Sequence, residues 1–302
     1  MRIIQAEHLG MCFGVRDAIT LAAQEAQKQP ITVLGDLVHN ETVLAGLRAQ
    51  GVRIVQQPSA VETPAVIITA HGASEMAMNR VRERGHNVLE ATCPLVHAAH
   101  RAVAKLVSEG YHPVLIGKRD HVEVRGMTED LGEHDVVLTE VDVFELAERP
   151  RFGVAAQTTQ PIERVRQLVD LLRRRFPNSE VRFIDTVCQP TKQRQNAAIE
   201  LAQQVDAVVV IGGEYSNNTY ELVKTCSRYC KQVFHVQTAE DLREEWFAGV
   251  EAVGVTAGTS TPDSTVVEVE QWLARYGSRT AMPQKPDAGV VPVQPLSHLK
   301  AA

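Results

Sequence analysis

Apolar and polar positions run through this chain in a cycle that returns three times. A short apolar run, "RIIQ" at 2–5, precedes "VRDAITLAAQEAQKQ" at 15–29, whose apolar residues recur every three or four positions. The pair returns as "HNVLEA" (86–91) with "LVHAAHRAVAKLVSEG" (95–110), and as "VRFIDT" (181–186) with "TKQRQNAAIELAQQ" (191–204). Short apolar runs predict strands and the 3.6-residue period predicts helices. Each cycle continues with a second strand, "ITVLGDLV", "HPVLIGK" or "AVVVIGG", that ends in a polar loop, "HNE", "RDHVEV" or "EYSNNT". A further helix and a short strand ("VRIV", "DVVL", "VFHV") lead to a last apolar run. That run ends in "TAHGAS", "AAQTTQP" or "TAGTSTPDS", followed by an amphipathic helix such as "PIERVRQLVDLLRRRF".

A repeat of about 80 to 100 residues is too long for a solenoid. It predicts an α/β protein of three similar small α/β units, with mainly parallel sheets, around a pseudo-threefold axis and a central cavity. Right-handed crossovers place the polar loops at the carboxyl ends of the strands, where ligands bind. The expected units are 13–92, 93–187 and 188–280, the last taking the strand within 1–12. The strand before each repeat's first helix could also pair within its own unit. After about Gly277 the chain turns proline-rich and loses its period, so 281–302 reads as a flexible tail.

Composition narrows the function. The chain has 302 residues, 44% of them hydrophobic and 23% charged, with a net charge of -6. That balance suits a soluble protein acting on small molecules and argues against a nucleic-acid partner. The start has no apolar leader and no run is long enough to span a bilayer, so no membrane is expected and the location is cytoplasmic. In a reducing compartment, five dispersed cysteines indicate metal binding, catalysis or packing rather than disulfides.

Three of the five, Cys12, Cys93 and Cys188, stand at the same strand-to-helix corner of the three repeats. His39 follows Cys12 by 27 residues, His121 follows Cys93 by 28, and Ser216 follows Cys188 by 28. Three thiols meeting at helix N-termini, where the dipole favours an anion, would hold a soft metal. Zinc is one option, although no CxxC pair is present. A 4Fe-4S cluster with one iron left open suits three separated ligands better. Cys226 and Cys230, four apart in "KTCSRYCKQ", read as core packing, and His97 and His100 as helix surface or core.

The second and third loops contribute His39, Asn40, His71, Gln157, Thr158, Thr159, Ser216, Asn217, Asn218, Thr259 and Ser260. Hydrogen-bond donors gathered at helix N-termini hold phosphate. The glycines at 212 and 213 would let a backbone approach such an anion. Glu123 is the acid among these loops, either a proton donor or one more exposed glutamate.

The ordered motifs "LGMCFGVRDA", "VHN", "TAHG", "ATCPLV", "HVE", "QTTQ", "DTVC", "SNNT" and "GVTAGTSTPDS" span residues 1 to about 275. In these the chain resembles the 4-hydroxy-3-methylbut-2-enyl diphosphate reductases, which end the methylerythritol phosphate route to isoprenoids. The resemblance implies an oxidoreductase that removes a hydroxyl as water, with two electrons and two protons, giving isopentenyl and dimethylallyl diphosphates. It implies a 4Fe-4S cluster on Cys12, Cys93 and Cys188, with the substrate oxygen reaching the fourth iron. The diphosphate falls to His39, His71, Ser216, Asn218 and Ser260 with Asn217 beside them, and proton delivery to Glu123, Thr158 and His121. A ferredoxin or flavodoxin is the implied electron donor. Two positions depart from the family pattern: Asn217 replaces a second serine, and Val122 replaces a proline. The rival readings are a zinc-dependent hydrolase and a non-catalytic iron-sulfur sensor or diphosphate-binding module.

Overall fold

The computed structural model describes residues 1–281. Strand β1 (Arg2–Gln5) and helix α1 (Phe13–Ala26) open the chain. Then come β2 (Ile31–Leu34), α2 (Glu41–Ala49), β3 (Arg53–Val55), β4 (Ala65–Ile68), α3 (Glu75–Glu83) and β5 (Asn87–Glu90). The middle third holds α4 (Pro94–Ser108), β6 (His112–Ile116), α5 (Val122–Thr128), β7 (Asp135–Val137), α6 (Glu140–Glu145), β8 (Arg151–Ala156), α7 (Ile162–Arg175) and β9 (Glu180–Phe183). The last third holds α8 (Gln189–Ala202), β10 (Ala207–Ile211), α9 (Asn217–Cys226), β11 (Gln232–Val236), β12 (Ala252–Ala257) and α10 (Asp263–Ala281).

The strands form three four-stranded sheets, ordered β3-β2-β4-β5, β7-β6-β8-β9 and β11-β10-β12-β1, with every pairing parallel. The three orders are equivalent, so the architecture is the expected threefold repeat of an α/β unit. Central strands such as β4 (AVII) and β10 (AVVVI) are buried along their whole length. Helices cover both faces of a parallel sheet, which is why these strands read as continuous apolar runs. The flanking β1, β5 and β9 each carry a charged or amide residue at one or both ends and are only partly buried.

The pairing question left open by the pattern has one answer in all three repeats. β1 pairs with β12, Arg2 opposite Ala252 and Gln5 opposite Val255. β5 likewise completes the sheet of β4, and β9 that of β8. Each strand therefore belongs to one sheet while the helix after it starts the next, so every cysteine corner lies at a junction between units.

Helix α10 continues through Ala281, four residues past Gly277, where the loss of periodicity suggested that order stops. Gly277 lies where a side chain would approach Met1 to 3.5 Å, so the helix packs against the chain start there. The tail expectation for 281–302 otherwise falls outside the described residues. Among these residues no helix is long and apolar enough to cross a membrane.

Candidate functional site

Cys12, Cys93 and Cys188 are the N-cap residues of α1, α4 and α8, and none uses its side chain as a cap. Their backbone N–H groups make equivalent hydrogen bonds: Cys12 to the carbonyl of Thr259, Cys93 to that of Ala70 and Cys188 to that of Thr158, each 3.0 Å. Each cysteine corner is thus tied to the third polar loop of the preceding sheet, next to Ser260, His71 and Thr159 respectively. A methyl group on Gly14 would fall 2.4 Å from Cys93 Sγ, so the first turn of α1 rests on that sulfur. Cys93 senses the charges of Cys12 and Glu123, and Cys188 senses the same two groups. The three sulfurs and Glu123 therefore share one neighbourhood.

Burial raises the pKa of the Cys93 thiol, opposed by the N–H groups of Leu95 and Val96. It pushes Cys188 up to about 11, against hydrogen bonding with Thr191. This reverses the expected lowering at a helix N-terminus. The few N–H groups facing Cys93 and Cys188 do not replace the water that burial removes, so at these two residues the thiol form is favoured.

Glu123 lies in the first turn of α5 rather than in a loop, and it is 1% exposed, which excludes the reading as a surface glutamate. One carboxylate oxygen accepts the Thr158 N–H at 2.6 Å and the other the Thr158 hydroxyl at 3.0 Å. Burial raises its pKa to about 7, with the Thr158 bonds opposing. His121 caps the same helix, its Nδ1 accepting the Glu123 N–H at 3.1 Å. These bonds fix the turn although Val122 stands at the first helical position, where a proline would preset φ.

Around an inner cavity of about 30 Å³ the three units contribute equivalent loops. His39 and His71 stack with centroids 4.3 Å apart, and His121 meets both edge-on at 5.3 and 5.5 Å. Desolvation lowers the pKa of His39 against the opposing charge of Asp36, takes His71 well below its usual range and brings His121 to about 3, with the neighbouring imidazoles adding to the effect at His71 and His121 and Lys118 at His39 and His121. All three rings are therefore neutral near pH 7. Ser216 caps α9 by accepting the Thr219 N–H, which leaves its proton free to donate. Asn218 accepts the Thr259 N–H at 3.0 Å, and its amide nitrogen is buried with no partner. His71 Nδ1 is likewise buried and unpartnered.

Further bonds stitch the units together at this cavity. The Ser260 hydroxyl donates to the His39 carbonyl at 3.2 Å, and the Asn217 amide to the Thr159 hydroxyl at 3.2 Å. Gln157 is buried and does not line the cavity; its amide holds the Lys118 N–H and the Gln160 and Thr159 side chains. Asn40 caps α2 through the Val43 N–H. At the 212–213 glycines the space of a side chain is taken by protein: Gly213 makes room for the His39 carbonyl and Gly212 for the Thr219 hydroxyl, each 2.3 Å from a would-be Cβ. Cys226 and Cys230 are buried in the third core, as expected, although α9 ends at Cys226. Sequence reading passed over Arg194, a cation 7% exposed on α8. No pattern in the sequence marks it, because the buried face of α8 mixes Thr191 and Gln195 with Ala197, Ala198 and Leu201.

The LytB protein family model matches residues 3–274. This chain belongs to the LytB family. Among its relatives, the 4-hydroxy-3-methylbut-2-enyl diphosphate reductase of Syntrophotalea carbinolica is 37% identical over 265 residues, 87% of this chain and 94% of that one. The enzyme of the same name from Aquifex aeolicus is 38% identical over 274 residues, covering 89% and 94%. Among solved structures, the E-1-hydroxy-2-methyl-but-2-enyl-4-diphosphate reductase of Plasmodium falciparum superposes with a TM-score of 0.85 at 27% identity, over 90% of this chain and 88% of that one. The family match spans all three sheets and all three cysteine corners.

Proposed function

We propose that this protein is a 4-hydroxy-3-methylbut-2-enyl diphosphate reductase that replaces the substrate's C–O bond by C–H. Two electrons and two protons are consumed and water leaves, giving isopentenyl and dimethylallyl diphosphates. The observation that carries the reading is the meeting of a buried acid, Glu123, with the cysteine corners beside a cavity of neutral donors.

The residues fit an iron-sulfur cluster. Three thiols stand at helix N-termini with none spent on capping, and the buried Arg194 senses Cys12 and Cys188. Cys12, Cys93 and Cys188 would hold it. When bound, a 4Fe-4S group with three protein ligands supplies electrons and one iron open to a substrate oxygen.

The rest falls to the chain's own side chains. His39, His71, Ser216, Asn218 and Ser260 bind the diphosphate, with Asn217 and Thr159 bridging two of the loops. Lys118 favours an anion at His121, and no carboxylate lines the inner cavity. Glu123, with a pKa near 7, keeps a proton at its carboxyl for the departing hydroxyl. Thr158 holds that carboxyl in place, Gln157 supports the loop, and His121 fixes the turn that carries Glu123. An electron donor of the ferredoxin or flavodoxin class completes the reaction.

A second reading rests on one observation: a ligand atom from each of His39, His71 and His121 lies within 4.8 Å of the others. Three imidazoles can hold zinc, as in a metal-dependent hydrolase. One experiment separates the two. Anaerobically purified protein is assayed for iron, sulfide and zinc, then given the allylic diphosphate with a low-potential reductant. About four irons per chain and both isoprenoid products support the reductase. One zinc without iron supports the hydrolase, and a cluster without turnover supports a sensor or binding module.

A further inference from the structure

Arg194 lies on α8, six residues after Cys188, and is 7% exposed. Its Nε and Nη2 both donate to the Gly10 carbonyl, at 3.0 and 2.7 Å, and its Nη1 to the Pro190 carbonyl at 3.0 Å. Gly10 turns in the left-handed region, φ +72°, two residues before Cys12. One guanidinium thus bridges the loop that presents Cys12 and the helix that presents Cys188, segments 184 residues apart in sequence.

Its hydrogen bonds go to neutral carbonyls, and among the described residues it makes no ion pair with a carboxylate. A buried cation without a counter-ion is strongly unfavourable. Burial accordingly pulls the Arg194 pKa down, and the groups that pull it back are the sulfurs of Cys12 and Cys188. In the cluster-bound protein of the reading above, the thiolates of Cys12 and Cys188 would supply the counter-charge that this cation lacks among the carboxylates.

We propose that Arg194 is a positioning cation of the sulfur centre: it fastens the Cys12 loop to the Cys188 helix, and its charge sets the potential at which that centre accepts an electron. The inference rests on the cluster reading above. A centre held by three thiolates becomes one unit more negative when a one-electron donor such as dithionite reduces it, with no bond made or broken. A fixed positive charge beside it stabilises the reduced form more than the oxidised one.

The test uses wild type, Arg194→Met and Arg194→Lys, purified anaerobically, with iron content measured and the cluster titrated by mediated dithionite under spectroscopic observation. At the wild-type midpoint, Arg194→Met is expected to hold a reduced-to-oxidised ratio at least tenfold lower, equivalent to 59 mV for one electron. Arg194→Lys, which keeps the charge, should stay within threefold of wild type. Retention of iron by the Lys variant but not by the Met variant would equally support the role of charge. Equal potentials for Met and wild type, or a Lys variant that loses iron or shifts in potential as far as the Met variant does, would overturn the proposal. Wild type that binds no iron would overturn the reductase reading instead.

Discussion

Glu123 and Thr158 are joined twice, the Thr158 backbone N–H donating to one carboxylate oxygen at 2.6 Å and its hydroxyl to the other at 3.0 Å. The same Thr158 accepts the Cys188 N–H through its carbonyl. A single residue of the middle unit therefore positions both the buried acid and a proposed cluster ligand. That coupling links proton source and ligand corner through one residue and three hydrogen bonds.

Glu123→Gln should leave the cluster spectrum intact and cut turnover by roughly 100-fold or more, the scale of general-acid catalysis. Because the proton is needed on a group with a pKa of about 7, wild-type kcat/KM should fall as pH rises through 7. Full activity in the Gln variant would remove Glu123 from proton delivery.

The same group leaves a signature in stability. Between its ordinary 4.5 and about 7, Glu123 holds a proton in the folded chain that the unfolded chain has released. Stability therefore declines as pH rises across that window and stays lower above it. In urea unfolding of the metal-free protein, wild type should lose on the order of 3 kcal/mol relative to Glu123→Gln between pH 4.5 and 8. Parallel curves for the two proteins would contradict the burial-driven shift.

Thr158→Val removes the hydroxyl bond but keeps the backbone one. Since both bonds lower the Glu123 pKa, the alkaline limb of the kcat/KM profile should move to higher pH. A limb that stays in place would show that another group controls it.

Neutral His39, His71 and His121 should take up protons when an anion arrives among them, because a negative charge restores the imidazolium. Calorimetry with inorganic diphosphate in buffers of different ionisation heat is expected to show net proton uptake and tighter binding as pH falls from 7.5 to 6. Ser216→Ala or Asn218→Ala should weaken binding about tenfold, the worth of one hydrogen bond to a charged group. Unchanged constants would place the anion elsewhere.

Replacing Cys12, Cys93 or Cys188 by Ser should each lower iron content, whereas Cys226→Ala should not. Cys226 is fully buried against α8 and the third sheet, so its loss should cost about 1–2 kcal/mol of stability with iron unchanged. Iron loss in Cys226→Ala would contradict the division between ligand and core cysteines.

The apolar pattern alone was enough to predict the strands and most of the helices, because β4 and β10 are buried on both faces and α7 on one. The threefold spacing of Cys12, Cys93 and Cys188, and of His39, His121 and Ser216, was equally open to reading, since repeated units place equivalent residues at equal intervals. Helix ends were harder. Glu123 reads as a loop residue because "RDHVEV" is polar, yet His121 caps a helix there and buries the acid.

Other properties required the folded chain. The pairing of β1 with β12 joins residues about 250 apart, and no local pattern encodes a parallel partner at that distance. The Cys93 and Cys188 pKa values rise where a helix N-terminus alone would lower them, because desolvation depends on everything packed around the sulfur. Arg194 and the Gly10 carbonyl meet only because folding brings together segments 184 residues apart. Periodicity and residue type are local, so the sequence by itself determined the elements, their repetition and the kinds of group on each loop. Burial, charge coupling and strand partnership arise only when distant segments share space, so tertiary structure alone decided which of those groups meet and in what protonation state.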